Sequence, residues 1–276
     1  MIRKALILAG LLLAILPPSA PQARESRAAL LDYLGGQGCV IGPATRHEVA
    51  AAGLAPDVLD ALANKARANG QADQQGDWLV LSRDLCTIRL PQITPVLKLA
   101  DPDVRRNFTD KKAGQGGGRP GCYLKTDALL ADLQASRGWD ADRANSEYIR
   151  LVAAALISGD MTIYTHAPVA APPGFQLLTG ECGRVPEIDA MRRAHAVLMG
   201  QFDPLIRALA TVTICKKGGH PDIFRSEIAS LVISGIRDPN AWRWMELLVI
   251  AMGAGWYEGM GATDIGTPRP PFCHYE

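Results

Sequence analysis

The first third of the chain alternates apolar stretches of helical and extended spacing. Apolar positions over Arg27–Leu34 recur at helical intervals and stop at two glycines, which predicts a short helix. The apolar run at 39–41, followed by Gly-Pro, predicts a short strand. Thr45 and Glu48 have the spacing of a capping box, and Pro56 suits a first helical position. Two further helices are therefore expected.

Two apolar runs close this segment. Trp78–Leu81 and Leu85–Leu90 are separated by Ser-Arg-Asp, which favours a turn. The pattern predicts a β-hairpin, preceded by a helix that ends before Gly76. The expected order is helix, short strand, helix, helix, hairpin.

Two cysteines have similar surroundings. Cys39 and Cys122 lie 83 residues apart, and each follows a glycine and precedes two apolar residues. At the same offset, the seven residues that begin at Gly76 align with the seven that begin at Gly159, without a gap. A match of this length indicates two copies of one structural unit, with the two glycines at equivalent turns.

The second copy has its own helical and extended patterns. Helices are expected over Asp127–Ser136 and Ala141–Ile157, and a hairpin over Met161–Thr165 and Phe175–Thr179. The connection between the hairpin strands carries three prolines, which predicts a long loop.

This order of elements resembles that of a winged-helix module over residues 27–90, and again over residues 121–186. In that fold the short first strand lies against the outer strand of the hairpin. The resemblance therefore implies a Cys39–Cys86 disulfide, and the repeat favours Cys122–Cys182 by analogy. Cys215–Cys273 is the remaining pair.

The last third reads as helical. Helices are expected over Glu187–Thr211, with Asp203-Pro204 as a candidate break, and over Asp222–Ser234 and Asn240–Gly261. The predicted fold class is α+β and mainly helical: two tandem winged-helix-like modules followed by a helical C-terminal domain. The expected divisions are a signal peptide (1–23), module 1 (24–91), a linker (92–120), module 2 (121–186) and the C-terminal domain (187–276).

The N-terminus has the layout of a secretory signal peptide. Arg3 and Lys4 precede an apolar run over Ala5–Leu16, and small residues follow. An apolar run of 12 residues is too short to span a membrane. Cleavage is expected after Ala20 or Ala23, which would place the protein in the periplasm or outside the cell, without a transmembrane anchor. Disulfides persist in such oxidising compartments.

The charge balance argues against nucleic acid as a partner. The chain has 29 basic and 28 acidic residues, and removal of the signal peptide would leave 27 basic residues. A net charge near zero provides no extended basic surface for phosphate groups. The same balance gives no attraction to anionic lipid.

The sequence contains few candidates for catalysis. Glu181 and Glu187 form a carboxylate pair after the second hairpin, with His166 as a further candidate, and a cell-envelope hydrolase is the alternative function that they suggest. Acidic residues near a helix start are better explained by capping and by the helix dipole. The five histidines are scattered, with no closely spaced ligand pair, so neither a metal nor a cofactor is predicted.

The helix expected near the C-terminus is the most apolar segment after the signal. Such a segment is typical of a buried central helix of the last domain. Small residues at four-residue spacing would also let a helix of another protein approach closely, and tryptophans flank them, which leaves a docking face as the alternative. The candidate docking residues are Trp242, Ala251, Gly255, Trp256 and Gly259. With no catalytic set apparent, we expect a non-enzymatic interaction or scaffold protein whose partner is another envelope protein.

We predict that the oxidised protein binds neither duplex DNA nor a divalent metal. Residues 24–90 hold seven basic and eight acidic side chains, so the expected recognition helix lacks the phosphate-neutralising charge on which DNA affinity depends. Fluorescence anisotropy in low and high salt measures the first half, and metal analysis of the purified protein measures the second. Salt-dependent DNA binding tighter than about 10⁻⁶ M, or stoichiometric zinc, would contradict the prediction.

Overall fold

The chain folds as an α+β structure in which helices pack on small antiparallel sheets. A computed structural model describes residues 20–109, 122–163, 174–184, 188–219 and 243–276. The helices are α1 (Ala20–Gly36), α2 (Thr45–Ala51), α3 (Pro56–Ala68), α4 (Pro102–Arg105), α5 (Thr126–Arg137), α6 (Ala141–Ser158), α7 (Ile188–Gly200), α8 (Phe202–Ala210) and α9 (Arg243–Gly253). The strands are β1 (Val40–Ile41), β2 (Ala72–Gln75), β3 (Trp78–Leu81), β4 (Phe108–Thr109), β5 (Tyr123–Leu124), β6 (Met161–Ile163), β7 (Phe175–Leu177), β8 (Tyr257–Glu258) and β9 (Thr267–Pro268).

The first unit contains the predicted helices and a three-stranded sheet of order β1-β3-β2. β1 pairs with β3 in antiparallel register, with Val40 opposite Val80. Leu79 and Leu81 are buried and belong to the hydrophobic core. Because side chains alternate along a strand, Trp78 and Val80 lie on the opposite face of the sheet.

The predicted hairpin of Trp78–Leu81 with Leu85–Leu90 is wrong in its second strand. β3 pairs with β2, which precedes it, through a two-residue turn at Gly76 and Asp77. Gly76 adopts a left-handed φ of 56°, which such a turn favours. The segment 85–90 forms no strand, because the chain turns back after β3 and the Cys86 backbone N–H donates to the Ser82 carbonyl at 3.0 Å.

The predicted capping box is not formed either. α2 begins at Thr45 itself, after Ala44, and Ala44 makes no side-chain cap. The Thr45 hydroxyl instead accepts a hydrogen bond from the Gly42 backbone N–H at 2.9 Å. Thr45 therefore fixes the loop that enters the helix.

The second unit has the same order of elements from its first strand onward. β5, α5, α6, β6 and β7 follow one another, and the sheet order is β4-β5-β7-β6. In both units the first strand lies against the last strand, and the middle strand lies at the far side of the last. The predicted helices and both predicted hairpin strands of this unit are present, with β6 and β7 paired antiparallel.

The gap-free alignment of the two units is wrong beyond the second helix. Gly76 lies in the β2–β3 turn, whereas Gly159 caps the C-terminus of α6 in a left-handed conformation. The reason is length, since α6 has 18 residues and α3 has 13. The units correspond in topology and not at a constant offset.

All three predicted disulfides are confirmed: Cys39–Cys86, Cys122–Cys182 and Cys215–Cys273. The first two occupy matching places. Each joins the residue immediately before the first strand to a residue five positions beyond the last strand of its unit. Cys86 therefore lies in a turn and not on a hairpin strand as expected. The partner was predicted correctly because the chain after β3 still returns to β1.

The C-terminal region differs most from expectation. The predicted helix over Asn240–Gly261 ends at Gly253, and β8 and β9 then form a two-stranded sheet. The long helix predicted before it is two helices, α7 and α8, separated at Gln201. The helix expected over Asp222–Ser234 lies outside the described residues.

One hydrophobic core runs through all described parts of the chain. The buried residues of the first unit, the second unit and the C-terminal region belong to one cluster that includes Leu34, Leu156 and Trp256. α9 packs against α6 so closely that a Cβ on Gly253 would lie 2.4 Å from the Ala153 Cβ. A larger residue at 253 would force these helices apart.

An ion-pair network ties α4 to α5. The Arg137 guanidinium donates to Asp103 at 2.6 and 2.9 Å and to Asp101 at 2.9 Å. The hydrogen bond from Arg137 is the main reason that the pKa of Asp103 lies below its usual value. Arg137 also lies 5.3 Å from the Trp139 ring, with Arg143 at 4.8 Å from the same ring.

We predict that Asp103→Asn weakens the acid sensitivity of folding. A carboxyl group whose pKa is lowered by folding stabilises the native state above its unfolded pKa, and that stabilisation is lost as pH falls through the folded pKa. The variant should be less stable than wild type at pH 7 and approach it below pH ~3. Urea unfolding across this range measures the difference. A constant difference at all pH values would contradict the assignment, and the exposed Asp57→Asn serves as the control.

We also predict that replacing Cys39 and Cys86 with alanine lowers stability by about 4 kcal/mol, the loop-entropy value for a closed loop of this size. The two cysteines are 47 residues apart, and both are buried. Urea unfolding of the oxidised double variant measures the change. A loss below about 1 kcal/mol would show that the unfolded chain is compact without the bond.

Candidate functional site

The predicted catalytic residues are not brought together among the described residues. Glu181 lies at the start of a 3-10 turn over Gly180–Arg184, is exposed, and pairs with Arg184 at 3.2 Å. Glu187 and His166 lie outside the described residues. The described geometry therefore places only one member of this set, in a surface ion pair.

The predicted docking residues do not share one exposed helical face. Ala251 lies within α9 and Trp256 beyond its end, and both are fully buried in this chain. Gly255 and Gly259 are exposed and lie beyond the end of the helix, each with a left-handed φ. Trp242 lies outside the described residues.

A cleft of about 430 Å³ lies on the outer face of the first sheet. Its floor is formed by β2 and β3, one wall by α8, and the other wall by the chain just before the C-terminus. The lining residues are Asp73, Gln75, Val80, Arg207, Ala210, Thr211, Pro271, Cys273 and His274. A volume of this size is in the range of sites that bind small molecules or single side chains.

The strand register places the floor residues on one face. Asp73 is directly opposite Val80, and Gln75 is directly opposite Trp78. All four side chains therefore point away from Leu79 and Leu81, toward the cleft side of the sheet. β2 is polar because it lies at the edge of the sheet and its side chains reach solvent.

The α8 wall is fixed to the first unit by a buried carboxylate. Asp203 is 5% exposed and accepts hydrogen bonds from the Ile88 backbone N–H at 2.8 Å and from Arg207 at 3.0 Å. Arg83 approaches its second oxygen at 3.3 Å. Arg207 in turn donates to the carbonyls of Leu81 at 3.1 Å and Cys86 at 2.9 Å. The pair thus joins α8 to the end of β3 and to the turn that follows.

The C-terminal wall is fixed by covalent and aromatic contacts. The Cys215–Cys273 disulfide joins it to the chain after α8, and His274 bridges Ile214 beside that bond. The Arg269 guanidinium lies 4.8 Å from the centre of the Trp78 ring. Burial lowers the pKa of Arg269 to about 10, so it remains a cation at neutral pH. A Cβ on Gly38 would lie 2.5 Å from Pro271, which shows how closely this wall packs.

Three of the residues that line the cleft carry hydrogen-bond acceptors: Asp73, Gln75 and His274. The Gln75 amide oxygen is buried and has no hydrogen-bond partner among the described residues. Asp73 is exposed and makes no ion pair with any residue that the structure describes. The His274 Nδ1 lies 2.6 Å from the Ala210 carbonyl oxygen, which can only accept. Nδ1 therefore carries a proton and donates to this carbonyl.

The hydroxyl and the sulfur of the lining are both engaged within the protein. The Thr211 hydroxyl donates to the Ala208 carbonyl at 2.7 Å and is not activated by His274. Cys273 is a half-cystine.

A second cavity of about 260 Å³ lies beside α6, and its Asn145 amide is already bonded to the Gly261 carbonyl at 2.9 Å.

Sequence reasoning singled out none of the cleft residues as binding groups. β2 has no apolar alternation, so the sequence pattern predicts the end of a helix at residues 72–75. The adjacent Cys273 and His274 were the available signal, because the disulfide fixes the histidine next to it.

No protein-family model, curated protein or solved structure shows significant similarity to this chain. Among the described residues, no helix has the length and apolar character needed to cross a membrane. In the same part of the chain, no group of three or more histidine, cysteine, aspartate or glutamate side chains is arranged to hold a metal ion.

We predict that Arg207→Met destabilises the protein by about 3 kcal/mol, the cost of leaving a buried charge with one partner removed. Among the described residues, Asp203 would retain Arg83 and the Ile88 amide as its partners. Urea unfolding of Arg207→Met, Asp203→Leu and the double variant measures the coupling between the two side chains. Additive losses in this cycle would contradict a direct interaction.

Proposed function

We propose that this protein is exported and acts, without catalysis, as a disulfide-stabilised module that recognises another protein of the cell envelope. Three disulfides among the described residues are typical of proteins from oxidising compartments. The sequence of residues 1–23 supports export through a cleaved signal peptide, with the periplasm or the exterior as the destination.

The two units support a tandem winged-helix-like arrangement. Both have a short first strand, two helices and a hairpin, and both insert the last strand between the other two. The matching Cys39–Cys86 and Cys122–Cys182 bonds favour a common origin for the units. We propose that the fold serves here as a surface for protein recognition, since its charge balance does not suit DNA.

The observation that carries this proposal is the edge strand beside the cleft. Among the described residues, β2 pairs with β3 alone, so its other edge presents main-chain donors and acceptors. Extended segments of partner proteins add to such edges, and neighbouring pockets then select their side chains. Catalysis at Glu181 has no comparable support, because its carboxylate is exposed and paired with Arg184.

Site-specific crosslinking tests the proposal. A photo-reactive phenylalanine analogue at Gln74, which is exposed on β2, should crosslink a defined envelope protein in cells that export this chain. The same analogue at Asp57, which is exposed on α3, is the matched control. The expected result is one product, identified by mass spectrometry, that forms from position 74 only. Equal products from both positions, or none from any exposed position tried, would contradict recognition of a partner at this edge.

A further inference from the structure

We infer that the Cys215–Cys273 bond is a site of thiol–disulfide exchange, which a dithiol protein of the same compartment reduces while the other two disulfides stay intact. Its reduction then loosens the C-terminal wall of the cleft. This inference goes beyond the proposed function and does not depend on recognition of a partner at β2. It draws on the burial of the cysteines, on the charges beside them and on the contacts of residues 272–276.

Of the three disulfides, only Cys215–Cys273 has a partly exposed cysteine. Exchange begins when an incoming thiolate reaches one sulfur of the bond, so access decides which disulfides react. The four cysteines of the two units are buried, at 8% exposure or less. Cys215 is partly exposed, and Cys273, although buried itself, lines the cleft. A thiolate therefore reaches this bond more easily than either of the others.

Cationic side chains lie next to this bond in the sequence. Lys216 and Lys217 follow Cys215 directly, and no other cysteine has a lysine or arginine beside it. Lys217 is paired with Asp264 at 2.7 Å, whereas Lys216 is exposed and makes no ion pair with any residue that the structure describes. Cations beside a cysteine stabilise its thiolate, and they attract an incoming thiolate. The charge of Lys216 therefore favours exchange at Cys215.

The buried sulfur has an acceptor that suits its reduced form. Cys273 Sγ lies 3.1 Å from the Pro268 carbonyl oxygen. A half-cystine sulfur carries no proton, whereas the thiol that reduction creates donates one. The Cys273 thiol then donates a hydrogen bond to this carbonyl, and the Cys215 thiol is partly exposed to solvent. Neither thiol is buried without a partner after reduction.

The exchange proceeds in two steps that balance. A thiolate of the dithiol protein attacks Cys215 Sγ, a mixed disulfide forms, and the bond to Cys273 breaks. The electron pair of that bond leaves on Cys273 Sγ, which takes up a proton. The second thiol of the dithiol protein then attacks its own sulfur in the mixed disulfide and releases Cys215, which is protonated in turn. Two electrons and two protons pass to the cystine, and the dithiol becomes a disulfide.

Two main-chain hydrogen bonds lie beside this disulfide. The His274 N–H donates to the Thr213 carbonyl and the Cys215 N–H donates to the His274 carbonyl, both at 2.9 Å. Chain ends without a covalent constraint open easily, and such single bonds then exchange with water. Phe272, by contrast, is fully buried in the core. Reduction therefore leaves Phe272 in place and loosens residues 273–276, which include one lining residue of the cleft, His274.

Reduction of the folded, oxidised protein tests the exchange site. The probe is dithiothreitol, added in steps, with acid quenching, alkylation of the freed thiols and peptide mapping by mass spectrometry. Cys215 and Cys273 should be alkylated together, about tenfold faster than the other cysteines, because access and charge favour their bond. Equal rates for all three disulfides, or earlier release of Cys39 or Cys122, would overturn the inference.

A pair of lysine variants tests the charge. Lys216→Gln should slow the reduction of Cys215–Cys273 by dithiothreitol about threefold, because the attacking group is an anion and the lost attraction is that of an exposed charge. Lys65→Gln removes the same charge from an exposed position on α3 and is the control. Equal rates in the two variants would overturn the role of Lys216.

Hydrogen exchange tests whether the structural effect is local. A double variant, Cys215→Ser with Cys273→Ser, represents the reduced form. The amides of residues 215 and 274 should exchange about tenfold faster in it than in the oxidised protein, whereas the Leu81 amide, which donates to the Cys39 carbonyl, should keep its protection. Unchanged exchange at 215 and 274, or lost protection at Leu81, would overturn local loosening of the wall. None of these measurements involves β2, so crosslinking from position 74 decides the proposed function separately.

Discussion

The structure depends on how one buried carboxylate is neutralised. Asp203 is almost fully buried, and burial of a carboxylate is unfavourable unless charges and donors surround it. Arg207, Arg83 and the Ile88 amide supply these partners from the same helix and from the chain after β3. Because Arg207 also bonds to the Leu81 and Cys86 carbonyls, the interaction fixes α8 against the first unit and so defines one wall of the cleft.

The disulfides of the two units hold their small sheets closed. In both units the bond connects the start of the first strand to the chain beyond the last strand, so it closes the sheet at the same point. Such sheets are small, and β1 and β5 have two residues each. Strands of this length gain little from their own hydrogen bonds, and covalent closure holds them where the helices alone would not.

Helices were predicted well because their pattern is local. The apolar spacing predicts where α5 and α6 lie. Their C-termini are capped by Gly138 and Gly159, and both glycines are left-handed. β2 was missed because an edge strand with polar side chains has no apolar alternation to read. The end of α9 at Gly253 differs from the prediction because the apolar run continues past it. The helix ends at a local cap, in which Gly255 is left-handed with a φ of 74° and the Trp256 N–H donates to the Ala251 carbonyl at 2.9 Å.

The sequence by itself determined the α+β class and most helices, since these follow from local periodicity. The resemblance and the repeat predicted the three disulfides, whereas the pairing of β1 with β3, and not with residues 85–90, came from the structure. Only the tertiary structure decided the cleft. Its residues come from β2, from α8 and from the C-terminus, and no local sequence pattern predicts that these segments are in contact. The meeting depends on Asp203 and on the stacking of Arg269 over Trp78, contacts between residues more than 100 positions apart. Such contacts are set by the packing of the whole core and leave no periodic signal in the chain.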